Sequence, residues 1–165
     1  MENEVRPYQT EDTQAILDII NYNLLHSTAL YDYNVRTYEQ QKTILEDKIA
    51  KNFPVIVAEI DGKVVGFGMY SEFRFREAYK FTVEYSVYVA NACHGKGIGN
   101  VLLAELIALA KAQNLHTMIA VIDAENQGSV LFHEKFGFKT VGIIKESGYK
   151  FDRWLHSVFM QLILE

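Results

Sequence analysis

Between Glu11 and Leu25, in EDTQAILDIINYNLL, apolar positions recur three and four residues apart. Ala15, Ile16, Ile19, Ile20 and Leu24, together with Asn23, fall on one side of a helix. A second helical run groups Gln41, Ile44, Leu45, Lys48 and Ile49, and Thr37 with Gln40 forms a capping-box pattern ahead of it. After Pro54 the pattern turns β-rich: PVIVAEI and KVVGFGMY flank Asp61-Gly62, a hairpin-turn signal. From Tyr79 to Val89 the period is two, with Phe81, Val83, Tyr85, Val87 and Val89 on one face and Thr82, Glu84, Ser86 and Tyr88 on the other. A glycine-rich loop then leads into a helix reaching about Gln113. The strand TMIAVI follows, then a short helix near GSVLFHEKF ended by Gly137, then the strands KTVGIIKE and WLHSVFMQLIL. With ENEVRPY as a first strand, the order is β-α-α-β-β-β-α-β-α-β-β, which predicts an α/β (α+β) mixed sheet flanked by helices.

Composition narrows this picture. The 165 residues contain no visible linker, repeat or low-complexity tract, so one domain over 1–165 is expected. A net charge of -5 argues against a general nucleic-acid binder, which needs a basic face to displace counterions. The acidic, polar start has no signal-peptide pattern, no run approaches a membrane span, and the lone Cys93 cannot form an intramolecular disulfide. A soluble cytoplasmic protein is expected. The histidines show no metal-ligand spacing, and HEKF lacks the second histidine of H-E-x-x-H, so no metal site is predicted. No sequence element pairs Cys93 with a histidine as a nucleophile would require.

The candidate chemistry lies in CHGKGIGNVLLAEL. Glycine costs about 1 kcal/mol in a helix relative to alanine, so Gly95, Gly97 and Gly99 at a helix start suggest backbone brought close to an anion. The run matches neither the P-loop spacing nor G-x-G-x-x-G.

EYSVYVANACHGKGIGNVLLAEL resembles the acetyl-CoA-binding motif of the GNAT N-acetyltransferases, a strand followed by [QR]-x-x-G-x-[GA]. AVIDAENQGSVLFHEKFGF is similar to that superfamily's second cofactor segment, with Asn126 and Ser129 at its N-x-x-S positions. FRFREAYKFTVEYSVYV and ESGYKFDRWLHSVFMQL resemble the phosphinothricin and methionine sulfoximine/sulfone acetyltransferase branch. His94 stands where the superfamily usually has Arg or Gln, and His156 where this branch usually carries an acid. The resemblance implies the GNAT fold, acetyl-CoA as cosubstrate and a homodimer.

It also implies roles. His94, Gly95, Lys96, Gly97, Ile98, Gly99 and Asn100 would surround the CoA pyrophosphate, with Lys96 either adding a charge or sitting in solvent. Val87, Tyr88 and Val89 would offer strand backbone to pantetheine. Asn126 fits either a pantetheine contact or a helix N-cap. Glu84 would be the general base for the acceptor ammonium or else a solvated strand glutamate, and His133 either the acid for the CoA thiolate or a packed helix histidine. Arg74 and Arg76 suit an anionic acceptor or a solvated basic edge; Tyr31 and Phe73 could line its pocket or belong to the core. The expected reaction is acetylation of the α-amino group of a small amino acid by direct transfer in a ternary complex. A protein N-terminus, a polyamine or an aminoglycoside as acceptor, and a non-catalytic acetyl-CoA sensor, remain the alternatives.

Overall fold

The computed structural model describes residues 3–165, so Glu2, at the head of the first expected strand, lies outside the described residues. The elements are β1 (Glu4–Pro7), α1 (Thr13–His26), α2 (Tyr38–Ala50), β2 (Val55–Ile60), β3 (Lys63–Glu72), β4 (Thr82–Val89), α3 (Ile98–Ala112), β5 (Thr117–Asp123), α4 (Gln127–Lys135), β6 (Lys139–Lys150) and β7 (Arg153–Ile163). Their order is the predicted one. They form one seven-stranded sheet, β1-β2-β3-β4-β5-β7-β6, in which β4 and β5 pair parallel and the other neighbours antiparallel.

Local signals account for most boundaries. The capping box forms at α2: Gln40 N–H donates to Thr37 Oγ1 at 3.2 Å, and Thr37 N–H donates to Gln40 Oε1 at 2.9 Å. Asp61 and Gly62 close the β2–β3 hairpin with φ of 51° and 75°, the geometry of a type I′ turn. Strand β4 begins at Thr82 rather than Tyr79, because Glu77–Tyr79 wind into a short 3₁₀ turn. Strand β6 runs past its expected end to Lys150, and its turn uses Phe151 and Asp152, both left-handed at φ 54° and 57°.

The sheet carries a core on each face. Ile98, Leu102, Leu103 and Leu106 of α3 pack against Tyr70, Val83, Tyr85, Met118 and Met160. On the other face Ile16, Ile19 and Ile20 of α1 and Leu45 of α2 pack against Val55, Val57, Phe67 and Tyr88. Each such side chain contributes about 1.5–3 kcal/mol when fully buried. Close approach of α3 depends on glycines in β3: a Cβ on Gly66 would lie 2.9 Å from Ile98 Cγ2, and one on Gly68 2.9 Å from Leu106 Cδ1. This packing holds the start of α3 just beyond the end of β4.

Candidate active site

Strands β4 and β5 stay together for only three residues. Thr82, Val83 and Glu84 pair with Thr117, Met118 and Ile119, and there the ladder stops. Beyond it β4 follows β3 as far as Val89 opposite Gly66, while β5 follows β7 as far as Asp123 opposite Ser157. The sheet therefore opens, and a cleft of ≈ 280 Å³ occupies the gap. Its lining includes residues from both faces: Glu84, Ser86 and Tyr31 on the α1 side, Asn126, Ser129 and His133 on the α4 side.

The strand edge facing this gap carries free backbone groups. Ala90 N–H donates to Val65 O of β3, and Phe73 N–H to Thr82 O, so even-numbered residues of this strand turn their backbone toward β3. His116 and Thr117 N–H donate to Phe81 O, so odd-numbered residues face β5. Tyr85, Val87 and Val89 thus direct N–H and C=O into the opening, past the last paired residue. Val87 and Val89 thus lie on the strand edge that borders the opening. Tyr88 turns the other way: its backbone faces β3, and its ring packs on Phe67 with centroids 5.4 Å apart. It reaches the cleft as a wall from the α1 side.

Past β4, Gly95 and Gly97 adopt φ of 78° and 80°, and Gly97 is the N-cap of α3. The first amides of α3, those of Ile98 and Gly99, have no acceptor within the helix. Asn100 N–H is already used, donating to Gly97 O at 3.1 Å. Gly99 lies inside the helix, where a Cβ would sit 3.6 Å from Phe132. Lys96 is exposed. The His94 ring turns back to the Val89 carbonyl, Nε2 to O at 3.0 Å, tying the loop to the strand end.

On the α4 side Asn126 is an N-cap, accepting from Ser129 N–H at 3.1 Å. His133 is buried, with Nδ1 2.6 Å from Ser129 O. Because a carbonyl only accepts, Nδ1 carries the proton. In the neutral ring Nε2 then accepts from the Tyr85 hydroxyl. Burial pushes His133 below the ordinary histidine value, with the Ser129 bond opposing, and pushes the Tyr85 hydroxyl well up. Both are neutral near pH 7.

Glu84, half-buried, projects to the opposite face, in register with Ser71 of β3. Burial raises its carboxyl above the ordinary glutamate value, while Arg74 and Lys48 pull it down by their charge. A carboxylate held this way is more basic than a solvated one, which suits a general base. Arg74 and Arg76 lie in the exposed loop after β3, each guanidinium over the preceding ring, 4.9 Å from Phe73 and 5.2 Å from Phe75. Phe73 packs edge-on against Tyr79 at 5.9 Å. These three residues do not line the cleft.

The segment after α1 forms another part of the cleft wall. Thr28, Ala29, Leu30 and Tyr31 line the cleft, and Thr28 Oγ1 donates to Asp123 Oδ2 at 2.6 Å. Tyr31 OH lies 3.3 Å from Ser157 Oγ, itself 2.6 Å from Ser147 Oγ. Apart from Tyr31, sequence reasoning passed over this wall. The available signal was polar residues in apolar strands, Asp123 at the end of TMIAVID and Ser157 within WLHSVFM. His156 stands opposite a bulge in β6, where its Nδ1 accepts the N–H of Glu146 at 2.9 Å.

A family model described as acetyltransferase (GNAT) domain matches residues 5–159. The chain belongs to the GNAT family. Among GNAT relatives, the L-methionine sulfoximine/L-methionine sulfone acetyltransferase of Salmonella typhimurium is 35% identical, over 93% of this chain and 90% of that protein. The phosphinothricin acetyltransferase of Sinorhizobium meliloti, solved in complex with acetyl-CoA, superposes with a TM-score of 0.96 at 33% identity, covering 99% of this chain and 89% of that one. A Brucella melitensis structure named ribosomal-protein-alanine N-acetyltransferase also has a TM-score of 0.96, at 40% identity, covering 98% and 99%. The GNAT fold and the mixed sheet expected from the sequence are therefore those of the family.

Proposed function

We propose that the protein transfers the acetyl group of acetyl-CoA to the α-amino group of a small amino acid of the methionine sulfone, methionine sulfoximine or phosphinothricin type. The observation that carries this reading is the opening between β4 and β5, with free strand backbone and a helix N-terminus on one side and a basic carboxylate on the other. The residues present fit acetyl-CoA: Val87 and the Val89 N–H offer an unpaired strand edge, and the left-handed Gly95 and Gly97 expose the first amides of α3 to a pyrophosphate. Asn126 and Ser129 flank the same channel. Acetyl-CoA supplies an acetyl group activated as a thioester.

Glu84 accepts one proton from the acceptor ammonium, freeing the nitrogen lone pair for attack on the acyl carbon within a ternary complex. The C–N bond forms and the C–S bond breaks, with Val87 N–H positioned to stabilise negative charge on the carbonyl oxygen. The second nitrogen proton balances the thiolate, and the Tyr85–His133 pair is the hydrogen-bonding group beside that path. Arg74, which acts on Glu84 by charge, reaches the acceptor's acidic group from the loop outside the cleft, and Tyr31 lines the cleft itself, while Arg76 and Phe73 stay in that loop.

The active form is a homodimer in this reading, supported by the edge position of β6 and its exposed Val141, Ile143 and Ile144. A cytoplasmic site of action agrees with the one free thiol. Among the described residues no helix is long and apolar enough to cross a membrane.

The name of the Brucella structure favours a peptide N-terminus as the second candidate acceptor. Measuring CoA thiol release with methionine sulfone, methionine sulfoximine, phosphinothricin, spermidine and an alanine-initiated peptide separates these readings. Turnover confined to the sulfone-type amino acids is expected. Turnover of the peptide alone reassigns the acceptor, and acetyl-CoA binding without turnover on any amine identifies a sensor.

A further inference from the structure

Lys150 is the last residue of β6 and is only 4% exposed. Among the described residues no carboxylate lies within ion-pair distance of it. Its Nζ instead donates to two backbone carbonyls, Ser27 O at 2.8 Å and Leu30 O at 2.6 Å, and lies 5.0 Å from the Phe151 ring centroid. Burying an ammonium costs several kcal/mol unless its protons are satisfied. An apolar side chain would close this hairpin without that cost. An ammonium, with three donors, can bind two carbonyls of one irregular segment at once, and the first of them follows the C-terminus of α1, where positive charge is favoured.

That segment lines the cleft on the α1 side, as Glu84 does. Its two clamped carbonyls bracket Thr28 and Ala29, and Thr28 is held at its side chain by Asp123. Two residues before Lys150, Gly148 lies against Tyr31, since a Cβ there would come within 2.7 Å of the Tyr31 ring. The end of β6 therefore sets both the backbone and the aromatic face of the wall.

We propose that Lys150 is a positioning residue for the acceptor: without lining the cleft, it holds Ser27–Leu30 in the conformation that receives the amino acid. The inference rests on the acetyltransferase reading above and adds a residue outside the cleft to its specificity. Lys150→Met removes two charge-assisted hydrogen bonds. An increase of about tenfold in acceptor KM is expected, part of their full worth, with acetyl-CoA KM within about twofold and kcat changed far less than acceptor KM. Backbone amide exchange over residues 28–31 should quicken, while exchange in α3 and β5 stays at the wild-type rate. Gly148→Ala, which displaces Tyr31 without touching Lys150, should raise acceptor KM as well.

Unchanged exchange over 28–31, or equal changes in both substrates' KM, would overturn the proposal. Should Lys150→Met fail to fold, Lys150→Arg, which keeps the charge in a longer fork, carries the same paired measurement. A wild-type enzyme silent on every amino acid would count against the acceptor reading instead. The exchange experiment would then still decide whether Lys150 holds the wall.

Discussion

On the α3 side of the cleft the recognition groups are backbone: the free edge at Val87 and the Val89 N–H, and the amides that open α3 behind Gly95 and Gly97. On the α1 side they are side chains and a clamped loop: Glu84, Tyr31, Thr28 on Asp123, and Leu30 on Lys150. The first region comes from one continuous stretch of chain. The second is assembled from segments far apart in the chain, Thr28 and Asp123 being separated by 95 positions and Lys150 and Ser27 by 123. Backbone recognition fails when a conformation is lost, whatever the side chain. Side-chain recognition fails one contact at a time, and here each contact leans on another. The two halves should therefore respond to substitution in different kinetic constants.

The sharpest break in this comparison is Glu84→Gln. If Glu84 is the base, kcat should fall about 10²- to 10⁴-fold while acetyl-CoA affinity is unchanged, as measured by steady-state kinetics and calorimetry. Its pH profile gives the same test another handle. Burial raises the Glu84 carboxyl, so activity is lost as pH falls through that raised value, and the acid limb should lie above the ordinary glutamate value of about 4.3. Glu84→Gln should show residual activity without that limb.

Next in size is Gly97→Val, which forces a branched residue to φ 80° at the N-cap of α3. The strain is about 1–2 kcal/mol or more, so acetyl-CoA KM should rise about tenfold or more and acceptor KM should not. A rise in acceptor KM alone would refute the division of labour. Arg74→Ala should do the reverse, raising acceptor KM about tenfold. Arg76→Ala should do so less, since Arg74 is the arginine that acts on Glu84.

The smallest kinetic effect is expected away from both halves, at the ion-pair cluster of β1. Arg6 donates to Asp12 at 2.7 and 2.8 Å and to Glu59 at 2.6 Å. Burial would raise Asp12, but the bonds from Arg6 and the Gln9 N–H outweigh it and leave the carboxyl below its ordinary value. A lowered folded value means the stabilisation is complete above the unfolded value of about 3.9 and is lost as pH falls through the folded one. Asp12→Asn should cost about 1–3 kcal/mol in urea denaturation at pH 7 and leave both KM values alone.

Much of the architecture was legible because periodicity and capping are local. The capping box at Thr37 and the Asp61-Gly62 turn appear where the pattern puts them, and the alternation of β4 does so from Thr82 onward. The β6–β7 turn was not legible. Phe151 and Asp152 adopt left-handed backbone without the glycine that usually announces it, held by the hairpin and by the Lys150–Phe151 contact. Tyr88 shows the limit of motif reading in the other direction. It stands beside Val87 in the sequence, yet strand alternation turns its backbone to β3 and its ring to the α1 core.

By itself, then, the order of residues determined the elements, their order, the glycine turn into α3 and the placement of Glu84 on the face opposite Val83 and Tyr85. Each of these depends on interactions within a few residues or on the two-residue repeat of a strand. Only the tertiary structure decided where β4 and β5 part, that His133 is buried and bonded to Tyr85, and that Lys150 and Asp123 hold the cleft wall after α1. Those features depend on distant segments meeting. Which distant partners satisfy a buried charge or hydroxyl is settled by how the helices and sheet pack, and no local pattern carries that information.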